Sequence, residues 1–393
     1  MNSLSNICSI LSGTRARKLI RLILACLTLV GCSSAPTAQK LSIEKEWIRS
    51  TLGKQHLGGR RLNRFSPIVT EDLIVTGNGV DGIVAYERKT ATVRWRMNIA
   101  DGVEAGAQLA DGVLYFGSGD GSMYAVNAID GRTLWSYPLG AEGLGKPTVS
   151  GDSVYILGGN NVAHSLNAKT GKLNWIYNRR DASNLSIRGG SQPAVQGDAV
   201  YFGFSDGSLV SLNRSSGTVI WEQNLNPNKR FRDVDATPII EADIIYVSSY
   251  DGRLYALQRQ DGKVVWSLDE GGYDEVLLAG KTVFLSTSNG KTIAVEKASG
   301  KLIWSRTNPG GIATAPVLWR NILLLGEMDG TLRLLDGRTG DFLGSFDPGR
   351  GVTAKPFVDK KTNEAFFVSG EANLYALKLG WKKDVSLWPW EKL

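Results

Sequence analysis

Residues 251–266 read DGRLYALQRQDGKVVW and contain the unit that decides the fold. An Asp-Gly pair precedes a short apolar segment, a second Asp-Gly pair follows it, and the unit ends in a tryptophan. Asp-Gly is typical of tight hairpin turns because glycine accepts the positive φ that such turns need. The unit therefore predicts two short antiparallel strands, joined by a turn and closed by an aromatic residue.

This unit recurs along the chain. Its final tryptophans are separated by 40, 40, 46, 45 and 38 residues and are Trp95, Trp135, Trp175, Trp221, Trp266 and Trp304. A seventh copy carries Gly344 where tryptophan is expected, and an eighth core lies at residues 373–377. A period near 40 residues, with short strands and no helical pattern, is typical of the four-stranded blades of a β-propeller.

Prolines support the same period. Six of them each precede an apolar run and are spaced by one or two repeats: Pro67, Pro147, Pro193, Pro238, Pro316 and Pro356. Proline cannot donate a hydrogen bond to a neighbouring strand, so it belongs at a strand start or at a sheet edge. We expect these prolines at the innermost strands, which have such an edge along a central channel.

The predicted fold class is all-β: one eight-bladed β-propeller of four-stranded antiparallel blades at residues 43–393, with a tryptophan-rich C-terminal tail. The eighth blade lacks its last strand at the C-terminal end. Residues 43–47 lie just before the first blade and include a tryptophan. We expect this N-terminal strand to close the ring, since closure removes exposed sheet edges. We also expect the repeat tryptophans to pack between neighbouring blades.

The N-terminus has the features of a secretory signal. Four basic residues within positions 15–21 precede an apolar stretch at 22–30. That stretch is too short to span a bilayer, for which about 20 residues are needed. It ends in Leu29-Val30-Gly31-Cys32, which resembles the bacterial lipobox, a motif whose cysteine is acylated and becomes the new N-terminus.

The resemblance to a lipobox implies that residues 1–31 are a removed signal peptide and that Cys32 carries the lipid. A plain signal peptide cut near Gly31, with Cys32 incidental, is the alternative. Residues 32–42 are predicted to be a flexible tether because they are small, polar and proline-containing. Ser33 rather than aspartate follows the cysteine, which in enterobacterial sorting indicates the outer membrane, with the protein facing the periplasm.

Composition excludes several classes of function. Hydrophobic residues make up 42% of the 393 residues, enough to bury a core. The formal charge of +7 falls to +3 without the four basic residues of the signal segment, and no stretch dense in Lys and Arg stands out. We therefore expect no nucleic-acid partner. Two histidines, and no cysteine after Cys32, leave little for a histidine-based triad or a Cys/His metal site.

The unit at residues 254–266 resembles the repeats of the pyrroloquinoline-quinone dehydrogenases, eight-bladed propellers whose Gly-to-Trp turns dock the blades together. That family implies a quinone, a calcium ion with carboxylate and amide ligands and, in many members, a vicinal disulfide. The blades here contain no cysteine, and the chain is much shorter than the alcohol dehydrogenases. A periplasmic quinoprotein dehydrogenase is one alternative; we expect a non-catalytic protein with no cofactor and no metal site.

The combination of lipobox, tether and propeller also resembles the BamB family, lipoproteins of the outer-membrane β-barrel assembly machinery. The segments Asn184-Leu185-Ser186-Ile187-Arg188-Gly189 and Asp233-Val234-Asp235-Ala236-Thr237-Pro238 carry this resemblance most specifically. In that family the corresponding segments form the docking surface for BamA, although leucine is usual where Ile187 stands. The resemblance implies that five residues contact the periplasmic (POTRA) domains of BamA: Leu185, Ile187, Arg188, Asp233 and Asp235.

The repeat spacing points to the same two segments. The two longest tryptophan spacings are adjacent, and their extra residues fall at 178–191 and 224–235. Insertions in repeat proteins lie in loops on one face, which is often the binding face. Exposed apolar residues beside charge are typical of an interface centre with a polar rim. Alternatively, the segments fold back onto the propeller and Arg188 pairs with Asp233 or Asp235.

The expected function is that of a non-catalytic scaffold lipoprotein of the outer-membrane β-barrel assembly complex, which assists the folding and insertion of outer-membrane proteins. The expected partners are BamA, the other lipoproteins of that complex, the membrane through the lipid anchor, and nascent β-barrel proteins. A propeller adaptor for a different envelope partner is the remaining alternative.

Overall fold

The structure is a computed structural model that describes residues 39–53, 63–179, 190–226, 233–250 and 252–383. One compact unit is Ser42–Gly380, and a second comprises Met1–Leu41 and Trp381–Leu393. Only residues 39–41 and 381–383 of the second unit are described, and they are the ends of two strands. The described part of the chain is built from strands, and none of it forms a helix with the length and apolarity needed to span a bilayer.

The strands form eight four-stranded sheets, each one blade. The N-terminal strand is β1 (Gln39–Ser50). Blades one to four contain β2 (Ile68–Val69), β3 (Leu73–Asn78), β4 (Gly82–Glu87), β5 (Val93–Asn98); β6 (Ala107–Ala110), β7 (Val113–Gly117), β8 (Ser122–Asn127), β9 (Thr133–Pro138); β10 (Thr148–Ser150), β11 (Ser153–Leu157), β12 (Val162–Asn167), β13 (Leu173–Asn178); and β14 (Ala194–Gln196), β15 (Ala199–Gly203), β16 (Ser208–Asn213), β17 (Val219–Asn224). Blades five to eight contain β18 (Ile239–Glu241), β19 (Ile244–Ser248), β20 (Leu254–Gln258), β21 (Val264–Leu268); β22 (Leu277–Ala279), β23 (Thr282–Ser286), β24 (Lys291–Glu296), β25 (Leu302–Thr307); β26 (Val317–Trp319), β27 (Ile322–Gly326), β28 (Leu332–Asp336), β29 (Phe342–Phe346); and β30 (Phe357–Asp359), β31 (Glu364–Val368), β32 (Asn373–Lys383). Consecutive strands within a blade pair antiparallel.

The eighth blade is completed from the other end of the chain. Its strand order is β1-β32-β31-β30, so the N-terminal strand is its fourth strand. The predicted eight-bladed propeller and its closure by an N-terminal strand are both confirmed. The strand begins at Gln39, four residues before the predicted position 43, so it includes the last residues of the expected tether.

Two contacts hold the closing strand in place. The backbone N–H of Thr51 donates to the carbonyl of Ala372 at 2.9 Å. The Trp47 ring lies 6.1 Å from the Phe366 ring, and it packs against a buried cluster that joins blades one and eight. The junction between the chain ends is therefore an apolar contact between blades, like the other junctions of the ring.

The first strand of each blade lies innermost. First strands of neighbouring blades contact one another, as β10 does with β6 and β14. All six periodic prolines directly precede a first strand, as Pro147 precedes β10 and Pro193 precedes β14. The proline prediction is therefore confirmed, and its reason is that a strand start on an inner edge needs no N–H donor there.

Each repeat tryptophan docks its blade onto the next. Trp95 Nε1 donates to the carbonyl of Ala128 at 3.0 Å, and the other five tryptophans make the equivalent bond at 2.9–3.3 Å. Three residues after the acceptor stands a glycine such as Gly131, whose φ is +72°. A Cβ atom there would lie 2.7 Å from the Trp95 ring. Only glycine fits both the turn and the stacked ring, which explains the Gly-to-Trp pattern.

Blade seven keeps the same register without its tryptophan. In the other six repeats, the tryptophan faces an alanine or serine on the third strand. In blade seven the fully buried Leu334 faces Gly344, so the large and small residues have exchanged strands. Trp319 joins blade seven to blade eight instead, since its Nε1 donates to Asn363 Oδ1 at 2.9 Å.

The antiparallel order of the strands assigns every connection to one of two faces. Links from the fourth strand of one blade to the first strand of the next lie on the same face as the turns between second and third strands. We call this the connecting face; the remaining turns lie on the opposite face. After the link from β1 to β2, the longest links between blades run from β13 to β14 and from β17 to β18, and both leave and rejoin the propeller on the connecting face.

Candidate functional site

Only part of the predicted docking surface lies within the described residues. Leu185, Ile187 and Arg188 belong to residues 180–189, which the structure does not describe, and we call these residues the first segment. The structure also does not describe residues 227–232, which directly precede the predicted docking motif at 233–238, and we call residues 227–232 the second segment. The predicted lipidation site, Cys32, is also outside the described residues. Asp233 and Asp235 are described, as are the points where both segments join the propeller.

The first segment starts from a fixed point. The Arg179 guanidinium forms an ion pair with Asp206 and another with Glu222, at 2.6 Å from Nη2 to Oε1. It also donates to Ser208 Oγ at 3.0 Å. The hydrogen bonds with Glu222 raise the pKa of Arg179 despite partial burial, and they lower the pKa of Glu222. Arg179 thus stays charged and ties the end of blade three to blade four.

The two segments rejoin the propeller side by side. Ser191, two residues after the first segment, is fully buried. Its Oγ donates to the carbonyl of Ala236, four residues after the second segment, at 3.2 Å. Gln192 Nε2 donates to Thr148 Oγ1 at 3.0 Å and fixes the next residue to blade three. The structure therefore brings Ser191, just after the first segment, next to Ala236 of the second predicted docking motif.

Residues 233–235 are fixed between blades four and five. The backbone N–H of Tyr250 donates to the carbonyl of Asp233 at 3.1 Å. The carbonyl of Val234 lies so near Gly203 that a Cβ atom there would be 2.1 Å away. The two predicted aspartates differ in exposure: Asp233 is fully buried, whereas Asp235 is half-buried and lines a central cavity.

The Asp235 carboxyl has a strongly perturbed pKa. Burial raises the pKa of its carboxyl to about 7, the Asp233 carboxylate adds to the increase, and the Arg64 guanidinium opposes it. Asp235 Oδ2 is buried and has no hydrogen-bond partner within the described chain. The carboxyl therefore changes its charge near neutral pH.

The central cavity has a volume of about 290 Å³ and lies where the chain enters the first strands of the blades. We call it the axial cavity. Its charged lining residues are Arg64, Lys146, Asp235, Asp274, Glu275 and Lys355. Among them, only Asp235 was predicted from the sequence. Lys146 and Lys355 each directly precede one of the periodic prolines, and that position was the signal that could have revealed them.

Half of these charged groups satisfy one another or the backbone. Lys355 Nζ forms an ion pair with Glu275 Oε1. Burial opposes the charge of Lys355, but the Glu275 and Asp274 carboxylates outweigh burial and raise the pKa of Lys355. Asp274 Oδ2 accepts the N–H of Ala315 at 2.7 Å, and its Oδ1 accepts the N–H of Glu275 at 2.8 Å.

Three hydrogen-bond donors in the cavity are unused. Within the described chain, the side chains of Arg64 and Lys146 form no hydrogen bond and no ion pair, and Arg64 Nε is buried. The Tyr273 hydroxyl is also buried and has no partner there. Burial lowers the pKa of the Lys146 ammonium, although the Glu275 carboxylate partly offsets this effect.

The residues of this cavity do not fit a calcium-bound quinone. Calcium requires several oxygen ligands, mostly carboxylates and carbonyls. No group of three or more His, Cys, Asp or Glu side chains within the described ranges could hold a metal ion. In the cavity itself, Glu275 is paired with Lys355, and both oxygens of Asp274 accept backbone N–H groups.

Fold and site together define an eight-bladed propeller of quinoprotein-type repeats, with two long links on one face and a charged axial cavity. The sequence model of the family described as outer membrane protein assembly factor BamB matches residues 79–306 and 251–351. The chain belongs to this family, as its repeats and docking segments predicted.

Individual relatives agree with this assignment. The outer membrane protein assembly factor BamB of Shewanella oneidensis is 26% identical over 340 residues, which cover 81% of this chain and 85% of that protein. The BamB of Yersinia pestis is 37% identical over 78 residues, 20% of each chain.

Solved structures share the fold. The crystal structure of BamB from Moraxella catarrhalis matches with a TM-score of 0.73 at 19% identity, covering 86% of this chain and 100% of that one. A europium-containing methanol dehydrogenase matches with a TM-score of 0.71 at 14% identity, covering 86% and 93%. At these identities the likeness shows a common propeller architecture only.

Proposed function

We propose that this protein is a non-catalytic scaffold lipoprotein that assists the assembly of outer-membrane β-barrel proteins by binding the periplasmic domains of BamA. Cys32 would anchor it to the outer membrane, facing the periplasm. Membership in the BamB family supports the general role. The single observation that carries the docking site is the hydrogen bond from Ser191 to Ala236, because it joins the flanks of the two segments on the connecting face.

The chemistry of the segments suits a protein interface. Leu185 and Ile187 are apolar residues next to a cation, Arg188, and the half-buried Asp235 stands near the second segment. An apolar centre with charged residues at its rim is the usual composition of a protein–protein interface. Asp233 is buried, so we assign it the role of holding the second segment in position beneath the contact surface.

Fixed segment ends favour binding. A loop that must be ordered on association loses conformational entropy, which weakens affinity. Arg179 fixes the start of the first segment, and Ser191 fixes the chain just after it. The propeller would thereby present both segments as one surface and hold the BamA domains in an arrangement suited to barrel insertion. The other lipoproteins of the complex and nascent barrels are the further partners that we propose.

Co-purification tests this site. We expect the double variant Arg188→Ala/Asp235→Ala to recover BamA from detergent-solubilised membranes at least about tenfold less well, since residues central to an interface contribute about 2 kcal/mol or more each. Arg338→Ala is the matched control, because Arg338 lies in a turn on the opposite face and is exposed. Undiminished recovery with the double variant would remove the site assignment.

A further inference from the structure

The axial cavity contains polar groups that the fold itself does not use. Among the described residues, the guanidinium of Arg64, the ammonium of Lys146 and the hydroxyl of Tyr273 have no hydrogen-bond acceptor. Buried polar groups in native proteins are nearly always satisfied, and an unsatisfied one requires a specific explanation such as an ion or a ligand. Arg64 Nε and the Tyr273 hydroxyl are two such buried donors, and the half-buried Lys146 ammonium lines the same cavity. Asp235 Oδ2 also lines it but accepts no hydrogen bond from them, so the three donors lack an acceptor.

The charges of the cavity favour an anion as that acceptor. The Lys355 and Glu275 charges neutralise each other, and the Asp274 oxygens already accept backbone N–H groups. Arg64 and Lys146 therefore remain as cations without a bonded counter-charge; the Asp235 carboxyl, whose pKa is raised to about 7, attracts Arg64 but forms no hydrogen bond through Oδ2. Keeping buried cations without partners lowers stability, so their retention is expected where they bind a ligand.

The size and layout of the cavity restrict the ligand further. Its volume of about 290 Å³ is at the lower end of small-molecule pockets. Arg64 precedes blade one and Lys146 precedes blade three, so the two cations approach from different blades. A guanidinium binds a planar carboxylate through two parallel hydrogen bonds. A molecule with two acidic ends would satisfy both cations at once.

We propose that the axial cavity binds a small dicarboxylate, with Arg64 and Lys146 contacting its two carboxylates and the Tyr273 hydroxyl donating to one of them. None of these three residues belongs to the two docking segments, although Asp235, a proposed BamA contact, lines the same cavity. Binding of the dicarboxylate is therefore tested with variants of Arg64 and Lys146, which leave Arg188 and Asp235 in place.

Calorimetric titration of the purified full-length lipoprotein with succinate tests the proposal. We expect saturable 1:1 binding of succinate and none of succinamide, its neutral analogue of the same shape. Lys146→Met and Arg64→Met should each weaken succinate binding at least about tenfold, because each removes a charge-assisted hydrogen bond. Lys169→Met is the matched control, since Lys169 is 81% exposed in a surface turn and should leave binding unchanged.

A thermal melt separates lost binding from lost folding. Lys146→Met removes an unpaired buried cation, so its melting temperature should equal or exceed that of the wild type while succinate binding is lost. Absence of succinate binding to the wild type, or equal binding by Lys146→Met, would overturn the proposal. Binding of inorganic phosphate in preference to succinate would also contradict it, since two separated acidic groups are its essential feature.

Discussion

The Asp235 carboxyl interacts with the charges of Asp233 and Arg64. It titrates in a pH range where an exposed aspartate is already fully ionised. Burial and the Asp233 carboxylate favour its neutral form, whereas Arg64 favours the ionised one. A pKa raised to about 7 in the folded protein means that the folded state binds this proton more tightly than the unfolded chain does. The contribution of Asp235 to stability therefore falls as the pH rises from about 4 to about 7.

Asp235→Asn should remove this pH dependence. Between pH 5 and pH 8 we expect the free energy of unfolding of the wild type to decrease by about 2–3 kcal/mol relative to Asp235→Asn, from 1.36 kcal/mol per pH unit over the titrating range. Urea unfolding of both proteins at the two pH values measures the difference. An offset between them that stays constant with pH would show that Asp235 does not titrate in this range.

The identities of the site residues were only partly predictable at this scale. Asp233 and Asp235 stand in a recognisable motif, but nothing in the sequence shows that one is fully buried and the other half-buried. Lys146, Tyr273 and Lys355 are far apart in sequence and are brought together by ring closure. Local patterns cannot indicate that side chains from distant repeats face one cavity.

At the scale of the strands and turns, the sequence predicted most of what the structure contains. Gly131 marks a positive-φ turn, and Trp95 stacks on it from the preceding blade, so one short motif specifies both a turn and a contact between blades. Blade seven was harder to predict, because Leu334 and Gly344 exchange the large and small positions across two strands. That exchange keeps the packing while removing the residue that marks the repeat.

The contacts that the repeat tryptophans make between neighbouring blades predict a large loss of stability when one of these tryptophans is truncated. Trp221 is buried, donates from Nε1 to the carbonyl of Arg259 at 3.0 Å and packs on Gly262. Trp221→Ala should lower the free energy of unfolding by about 3–5 kcal/mol. Equilibrium denaturation measures the change.

Val264→Ala is the control for this change. Val264 is 48% exposed on the outermost strand of the next blade, so its truncation should change stability by no more than about 0.5 kcal/mol. If Trp221→Ala proved as mild as Val264→Ala, the repeat tryptophans would not be what holds the blades together.

For the molecule as a whole, both the proposed BamA docking site and the proposed dicarboxylate site depend on closure of the propeller ring. Because β1 completes the eighth blade, the ring has no free blade edge at its junction, and the chain segments before the first strands converge on one axis. The antiparallel order then places both long links on the connecting face. Sequence spacing predicted these links and a central channel, whereas the charged lining of the axial cavity follows from the closed ring and was not foreseen.

We propose that BamA binds the connecting face of the propeller through the first segment. Photo-cross-linking in cells tests this contact, with benzoylphenylalanine replacing Ile187 of the first segment and, separately, Ser299 in a turn on the opposite face. We expect a cross-link to BamA from position 187 and none from position 299. A cross-link from position 299, together with none from position 187, would contradict the proposed contact.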